Sequence, residues 1–124
     1  KFAVVDSAMN DLIRPTLYEA WHDIDPVAQP ADDAEIAPVD IVGPVCETGD
    51  VLAVQRDMPP LAPDDLLAVR SAGAYGAVMS STYNSRLLIP ETMVNGAQFA
   101  VIRPRHDYDT LIGQDVVPGW IAGG

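Results

Sequence analysis

Thr92-Met93-Val94-Asn95-Gly96-Ala97-Gln98-Phe99-Ala100-Val101-Ile102 decides the architecture of this chain. Asn95-Gly96 is its strongest local hairpin signal, because Asn and Gly tolerate positive φ and the flanking runs are rich in strand-forming residues. Beyond the hairpin, Asp107 can cap a terminal helical turn through Leu111. Before it, Val51 to Gln55 and Leu66 to Ser71 are β-like runs separated by Pro59, Pro60 and Pro63, with Asp64-Asp65 at the turn between them. Ile41-Val42 ends in Gly43-Pro44, a strand terminator, and Val45 to Asp50 reads as a polar, glycine-containing loop. From Asp23 to Asp40 the chain is acidic and carries Pro26, Pro30 and Pro38, which predicts exposed edge segments and a mobile loop around Asp32 and Asp33. Phe2 to Val5 is a short strand closed by Asp6, and Asn10 or Asp11 is the expected N-cap of a helical turn through Leu12, Leu17 and Tyr18. Many short strands with few helices predict a mainly β chain, an antiparallel barrel or sandwich, with residues 1–124 forming one domain.

Composition narrows the function. Hydrophobic residues make up 48% of the 124 positions and charged residues 20%, the balance of a packed domain. Seven basic against 18 acidic residues give a net charge of −11, which repels nucleic acid and anionic lipid. Cys46 is the only cysteine, so no internal disulfide forms and a cytoplasmic home is the default expectation. The apolar runs are far shorter than a membrane span. Lys1 is the only lysine, so chemistry that needs a buried amine must obtain it from outside this sequence. The chain opens on Lys and enters a strand pattern at once, as if it began inside something longer.

Four groups of residues could carry chemistry. Cys46-Glu47-Thr48-Gly49-Asp50 sets a thiol beside oxygen-bearing side chains on a glycine turn, where backbone can approach a ligand closely. A half-buried Cys packing as a small hydrophobe is the alternative, and the commoner one for a lone Cys. Arg14 and Tyr18 lie four apart, so on a helix they share a face and can converge on a carboxylate; an exposed Arg stacked on that Tyr is the alternative. Pro15 fits a first helical position, which puts Arg14 near a helix start, where backbone N–H groups favour an anion. Gly73-Ala74-Tyr75-Gly76 reads as a flexible loop that offers a phenol to a phosphate or carboxylate, or as a core Tyr at a strand end. Tyr83-Asn84-Ser85-Arg86 reads as a solvated loop, and Met9, Met58, Met79 and Met93 as core filler. His22 and His106 have no partner at ligand spacing, so both are expected at the surface and no metal is expected.

Taken together and in this order, Val4 to Pro15 with Leu17-Tyr18, Gly43-Pro44-Val45-Cys46-Glu47-Thr48-Gly49-Asp50, Ala72-Gly73-Ala74-Tyr75-Gly76 and Tyr83-Asn84-Ser85-Arg86 closely resemble the bacterial diaminopimelate decarboxylases. The resemblance runs from Phe2 to the helical turn near Leu111. It departs at Thr48, where the family commonly has Ser and the hydroxyl is kept. The resemblance implies a fold-type III, pyridoxal 5'-phosphate (PLP) enzyme in which an N-terminal (β/α)8 barrel of ~250 residues carries the cofactor. A C-terminal, Greek-key-like β-barrel or sandwich domain, of the alanine racemase and decarboxylase type with short helices, completes the site. Residues 1–124 would be part of that second domain, with strands and the Schiff-base lysine belonging to absent segments.

Carried over residue by residue, Arg14 and Tyr18 resemble ligands of the substrate's distal carboxylate, Glu47 the partner of its distal ammonium, and Tyr75 a ligand of the PLP phosphate that also lies near substrate. Cys46 resembles the acid that protonates the substrate α-carbon after carbon dioxide leaves. Tyr83, Asn84 and Arg86 match the family pattern and are assigned a structural role. The reaction implied is meso-2,6-diaminopimelate to L-lysine and carbon dioxide. The Cys46 loop is expected to reach into the site of a homodimer partner, and the isolated chain to be inactive. Two other functions stay open: a sister decarboxylase acting on ornithine, arginine or a carboxylated polyamine, and a non-catalytic β module for binding or oligomerisation.

Overall fold

The structure, a computed structural model, describes residues 1–122. Strand β1 (Phe2–Val4) runs parallel to β3 (Ala37–Val42), and the stretch between them carries helix α1 (Arg14–Tyr18) and strand β2 (Ile24–Pro26). A parallel pair needs a long crossover of this kind, because a tight hairpin can only reverse the chain. β3 then pairs antiparallel with β4 (Val51–Met58), so the first sheet has the order β1-β3-β4. β2 pairs antiparallel with β5 (Leu67–Val69) in a second, two-stranded sheet. Helix α2 (Gly73–Met79) and a 3₁₀ turn at Tyr83–Ser85 follow.

Strand alternation explains what this sheet buries. In β3, Val39 and Ile41 point inward while Pro38 is exposed, the period-two pattern of a half-buried strand. Two residues of β4, Val54 and Gln55, stand opposite the single Asp40, which makes a β-bulge. Gln55 takes φ +51° there, and both its backbone N–H and its side-chain amide donate to Asp40 Oδ1 at 2.7 and 3.1 Å. Those hydrogen bonds hold the Asp40 carboxyl below the usual carboxylate range. Past the bulge, Arg56 and Met58 turn inward. Leu12, Ile24, Val39, Ile41, Leu52, Ala53 and Met58 form one core, with Ala3, Val5, Leu67, Val69 and Ala72 packed against it.

Everything up to Asn84 belongs to one compact unit, Lys1–Asn84, and a second begins at Ser85, the last residue of the 3₁₀ turn. The second unit contains the antiparallel hairpin β6 (Glu91–Asn95) and β7 (Gln98–Arg103), then α3 (Tyr108–Ile112) and α4 (Gly119–Ala122). Asn95 pairs with Gln98, so the two loop residues are Gly96-Ala97 and not Asn95-Gly96. Only Gly96 has positive φ (+60°), the sign pattern of a type II′ and not a type I′ turn. Asp107 caps α3 as its position suggests, accepting from the Thr110 N–H at 2.7 Å.

The mainly β expectation holds, with short helices and strands in three small sheets; among the described residues no sheet closes into a barrel, and β1·β3 departs from an all-antiparallel scheme. Other expectations need correction. Asn10 and Asp11 do not cap α1, whose N-cap is Ile13 with no side-chain hydrogen bond; both are instead buried. Gly73 to Gly76 is not a loop but the start of α2. His22 is not at the surface: it is buried, with Nδ1 3.0 Å from the Arg70 carbonyl oxygen. Met93 is exposed on the hairpin, whereas Met58 does fill the core. No helix among the described residues is long and apolar enough to cross a membrane, and no group of three or more His, Cys, Asp or Glu there could hold a metal ion.

Candidate functional site

Arg14, Tyr18, Cys46, Glu47 and Tyr75 all lie in the Lys1–Asn84 unit. Pro15 occupies the opening of α1, where a missing N–H costs nothing, and Arg14 is its first residue. The helix ends after one turn because Glu19 adopts a left-handed conformation (φ +54°). Five residues align too few peptide dipoles for a helix start to contribute much field, so the positive charge here is that of the guanidinium itself.

Arg14 does not stack on Tyr18. Its guanidinium lies over the ring of Tyr75, 5.1 Å from the centroid, a cation–π contact between α1 and α2. This holds the half-buried Arg14 while leaving Tyr75 59% exposed, with its phenol accessible. Tyr18, at the end of the same turn, is likewise exposed. Three phenol and guanidinium groups therefore belong to two short, adjacent helices.

The loop from Gly43 to Asp50 is organised by backbone bonds and one carboxylate. The Asp50 N–H donates to the Glu47 carbonyl, the Val51 N–H to that of Gly49, and the Gly43 N–H to that of Asp50, so the loop closes on its own stem. Thr16 in α1 donates from Oγ1 to the Gly49 carbonyl at 2.6 Å, tying the loop to the helix that bears Arg14. At the tip, Cys46 and Glu47 are exposed. Glu47 Oε1 accepts from the Gly49 N–H at 3.2 Å, and the Tyr83 hydroxyl donates to Oε2 at 3.4 Å. Both Glu47 oxygens thus have a long contact within the unit, and the carboxylate stays exposed to solvent.

Residues 8–12 link these pieces. The Ser81 N–H donates to the Asn10 carbonyl at 2.9 Å and Asn10 Nδ2 donates to the Ser81 carbonyl at 3.2 Å, so the segment after α2 is bonded to the loop before α1. Gly76 passes close to that loop: a Cβ there would stand 3.7 Å from the Asp11 carbonyl. Thr16, Asn10 and Tyr83 thus bond across the elements that carry the candidate groups. None of them announces this in sequence, since each partner lies far along the chain. Asn10 lies in the same family motif as Arg14 and Tyr83 in the Tyr83-Asn84-Ser85-Arg86 motif, whereas Thr16 carries no such signal.

A separate cleft of about 830 Å³ runs along β1 and the segment from Leu61 to Leu67. Lys1, Val39, Asp64 and Asp65 line it, and none of the five candidate residues does.

Residues 1–73 match the family described as "Pyridoxal-dependent decarboxylase, C-terminal sheet domain". Among curated proteins, the chain is similar to diaminopimelate decarboxylase from Zymomonas mobilis, 48% identical over 121 residues that cover 98% of this chain and 28% of that protein. The enzyme of the same name from Pseudomonas aeruginosa is 54% identical, covering 94% and 28%. The chain therefore spans little more than a quarter of the length of these relatives. Among solved structures, diaminopimelate decarboxylase from Helicobacter pylori complexed with L-lysine superposes with a TM-score of 0.83 at 40% identity, over 91% of this chain and 27% of that one. Diaminopimelate decarboxylase from M. jannaschii, also in co-complex with L-lysine, superposes with a TM-score of 0.85 at 34% identity, over 94% and 26%.

Proposed function

Since this chain belongs to the pyridoxal-dependent decarboxylases through their C-terminal sheet domain, we propose that it supplies the substrate-reading part of an enzyme that converts meso-2,6-diaminopimelate to L-lysine and carbon dioxide. Residues 1–124 are read as part of one C-terminal domain. The observation that carries this reading is the junction of α1, α2 and the Cys46 loop: Arg14 stacked on Tyr75, and Thr16 bonded to Gly49. It brings a guanidinium, two phenols, a carboxylate and a thiol onto one compact unit, from which the guanidinium and the thiol can serve opposite sites of a dimer.

The donor set fits part of a PLP site. The accessible Tyr75 phenol can donate to a phosphate oxygen, and the adjacent Arg14 cation favours anions nearby. The amine that anchors the cofactor is not among these groups, because Lys1, the only lysine, lines the separate cleft. We assign that lysine to an N-terminal (β/α)8 barrel outside this sequence. PLP, when bound, accepts the electron pair left behind as carbon dioxide departs.

This chain's residues do the rest. Arg14 grips the distal carboxylate with its two-pronged guanidinium and Tyr18 adds a hydroxyl donor, while Glu47 receives the distal ammonium. Lysine offered as a substrate through its α-amine has no distal carboxylate and would leave Arg14 without a partner, a loss of about 1–3 kcal/mol that discriminates diaminopimelate from lysine as the molecule to be decarboxylated. Cys46 delivers the proton that replaces carbon dioxide at the α-carbon. The exposed Cys46-Glu47 tip reaches the site of a second copy, so the active enzyme is at least a homodimer, located in the cytoplasm.

The test is Cys46→Ala in the full-length enzyme. Turnover of diaminopimelate should fall by about 10²-fold or more with PLP content retained. Unchanged turnover removes the thiol from the proton-transfer step. Equal rates on diaminopimelate, lysine and ornithine would point instead to a sister decarboxylase and remove Arg14 from its role.

A further inference from the structure

A buried side chain beside the candidate site is one the reading above does not use. Asp50 is only 3% exposed, yet it is ionisable and ends the loop that carries Cys46 and Glu47. Its two oxygens divide their work. Oδ1 accepts from the Met9 N–H at 2.6 Å and Oδ2 from the Val45 N–H at 2.7 Å. Met9 immediately precedes Asn10, which is bonded to the Ser81 segment, and Val45 immediately precedes Cys46. Gly43 closes the third side: any Cβ there would strike the carboxylate. A buried carboxylate is costly unless its oxygens are satisfied, and here both are satisfied by loop backbone that no strand or helix otherwise fixes.

We propose that Asp50 is a positioning residue that clamps the base of the Cys46-Glu47 tip to the loop leading into α1, setting how the tip presents its thiol and carboxylate. The proposal rests on the roles given above to Cys46 and Glu47. Only a side chain with two acceptors can do this. In Asn the amide nitrogen would face one of the two N–H groups, donor against donor, and one anchor would be lost.

The experiment is Asp50→Asn in the full-length, PLP-loaded enzyme, beside Ile41→Val as a variant that weakens the core without touching the loop. With Asp50→Asn, kcat on diaminopimelate should fall about tenfold to a hundredfold, and the alkylation rate of Cys46 by iodoacetamide should change several-fold, with PLP content kept. Ile41→Val should lower thermal stability and leave kcat and alkylation as in the wild type. Wild-type kcat and alkylation in Asp50→Asn would overturn the proposal. Failure of the underlying reading looks different: if Cys46→Ala retains turnover, the acid role falls, while altered alkylation in Asp50→Asn still upholds the clamp. Should Asp50→Asn yield no folded holoenzyme, deuterium exchange on the wild type decides. The Met9 and Val45 amides should then exchange slowly despite lying in loops, and rapid exchange at either would overturn the clamp.

Discussion

The Lys1–Asn84 unit and the unit that begins at Ser85 are both built from short strands and one-turn helices, yet only the first has an interior. Every buried residue lies before residue 59, and none of the described residues after Ser85 is buried. The β6–β7 hairpin carries Val94, Phe99 and Val101 to the outside, with Phe99 77% exposed. A two-stranded hairpin is marginal by itself in water. The contrast separates two sources of order: the hairpin rests on turn chemistry and cross-strand pairs, including Arg103–Glu91 at 2.6 Å, whereas the first sheet rests on removing Val39, Ile41 and Leu52 from water.

Substitutions can break that contrast. The largest effect is expected at Ile41, which is 1% exposed. Ile41→Ala should destabilise the chain by about 2–5 kcal/mol in urea unfolding, while Phe99→Ala stays within about 0.5 kcal/mol. Similar losses from the two would mean that the hairpin has a core after all. Gly96→Ala comes next. A Cβ there meets nothing within 4 Å, so the cost is purely that of φ +60°, about 1 kcal/mol. It should appear as faster amide exchange in Glu91–Arg103 with Lys1–Asn84 unaffected, and loosening of both units together would dissolve the distinction.

The smallest effect is local and pH-dependent. Asp107 is held below the usual carboxylate range, chiefly by its hydrogen bonds with Thr110. A carboxylate whose pKa is depressed on folding stabilises fully above its unfolded pKa of about 4, and that contribution is lost as pH falls through the lower, folded value. Thr110 amide protection should therefore be level from neutral pH down to about 4 and drop below it. Protection that persisted through acid would show that packing, not the cap, holds α3.

The candidate site divides along the same line. The Val45–Asp50 loop, the short helix opened by Pro15 and the order of the motifs were all readable, since each depends on residues within a few positions of one another. Helical spacing puts Arg14 and Tyr18 on α1 together, but Tyr75, on which Arg14 stacks, lies far along the chain and has no local sign. Tyr75 was placed on a loop because two glycines flank it, yet packing of Gly76 against the Asp11 backbone goes with a helix there. Asp50 reaches Met9 across 41 positions, a separation at which no local pattern carries information.

By itself the sequence determined the mainly β character, the neighbourhood of the hairpin, the Asp107 cap and that Lys1 is the only lysine. Tertiary structure alone decided that β1 runs parallel to β3, that His22 is buried, and that Asp50 joins two loops. Backbone periodicity and turn chemistry act over a few residues and are written in order along the chain. Burial and long-range hydrogen bonding depend on which distant segments share one interior, and only the folded chain sets that.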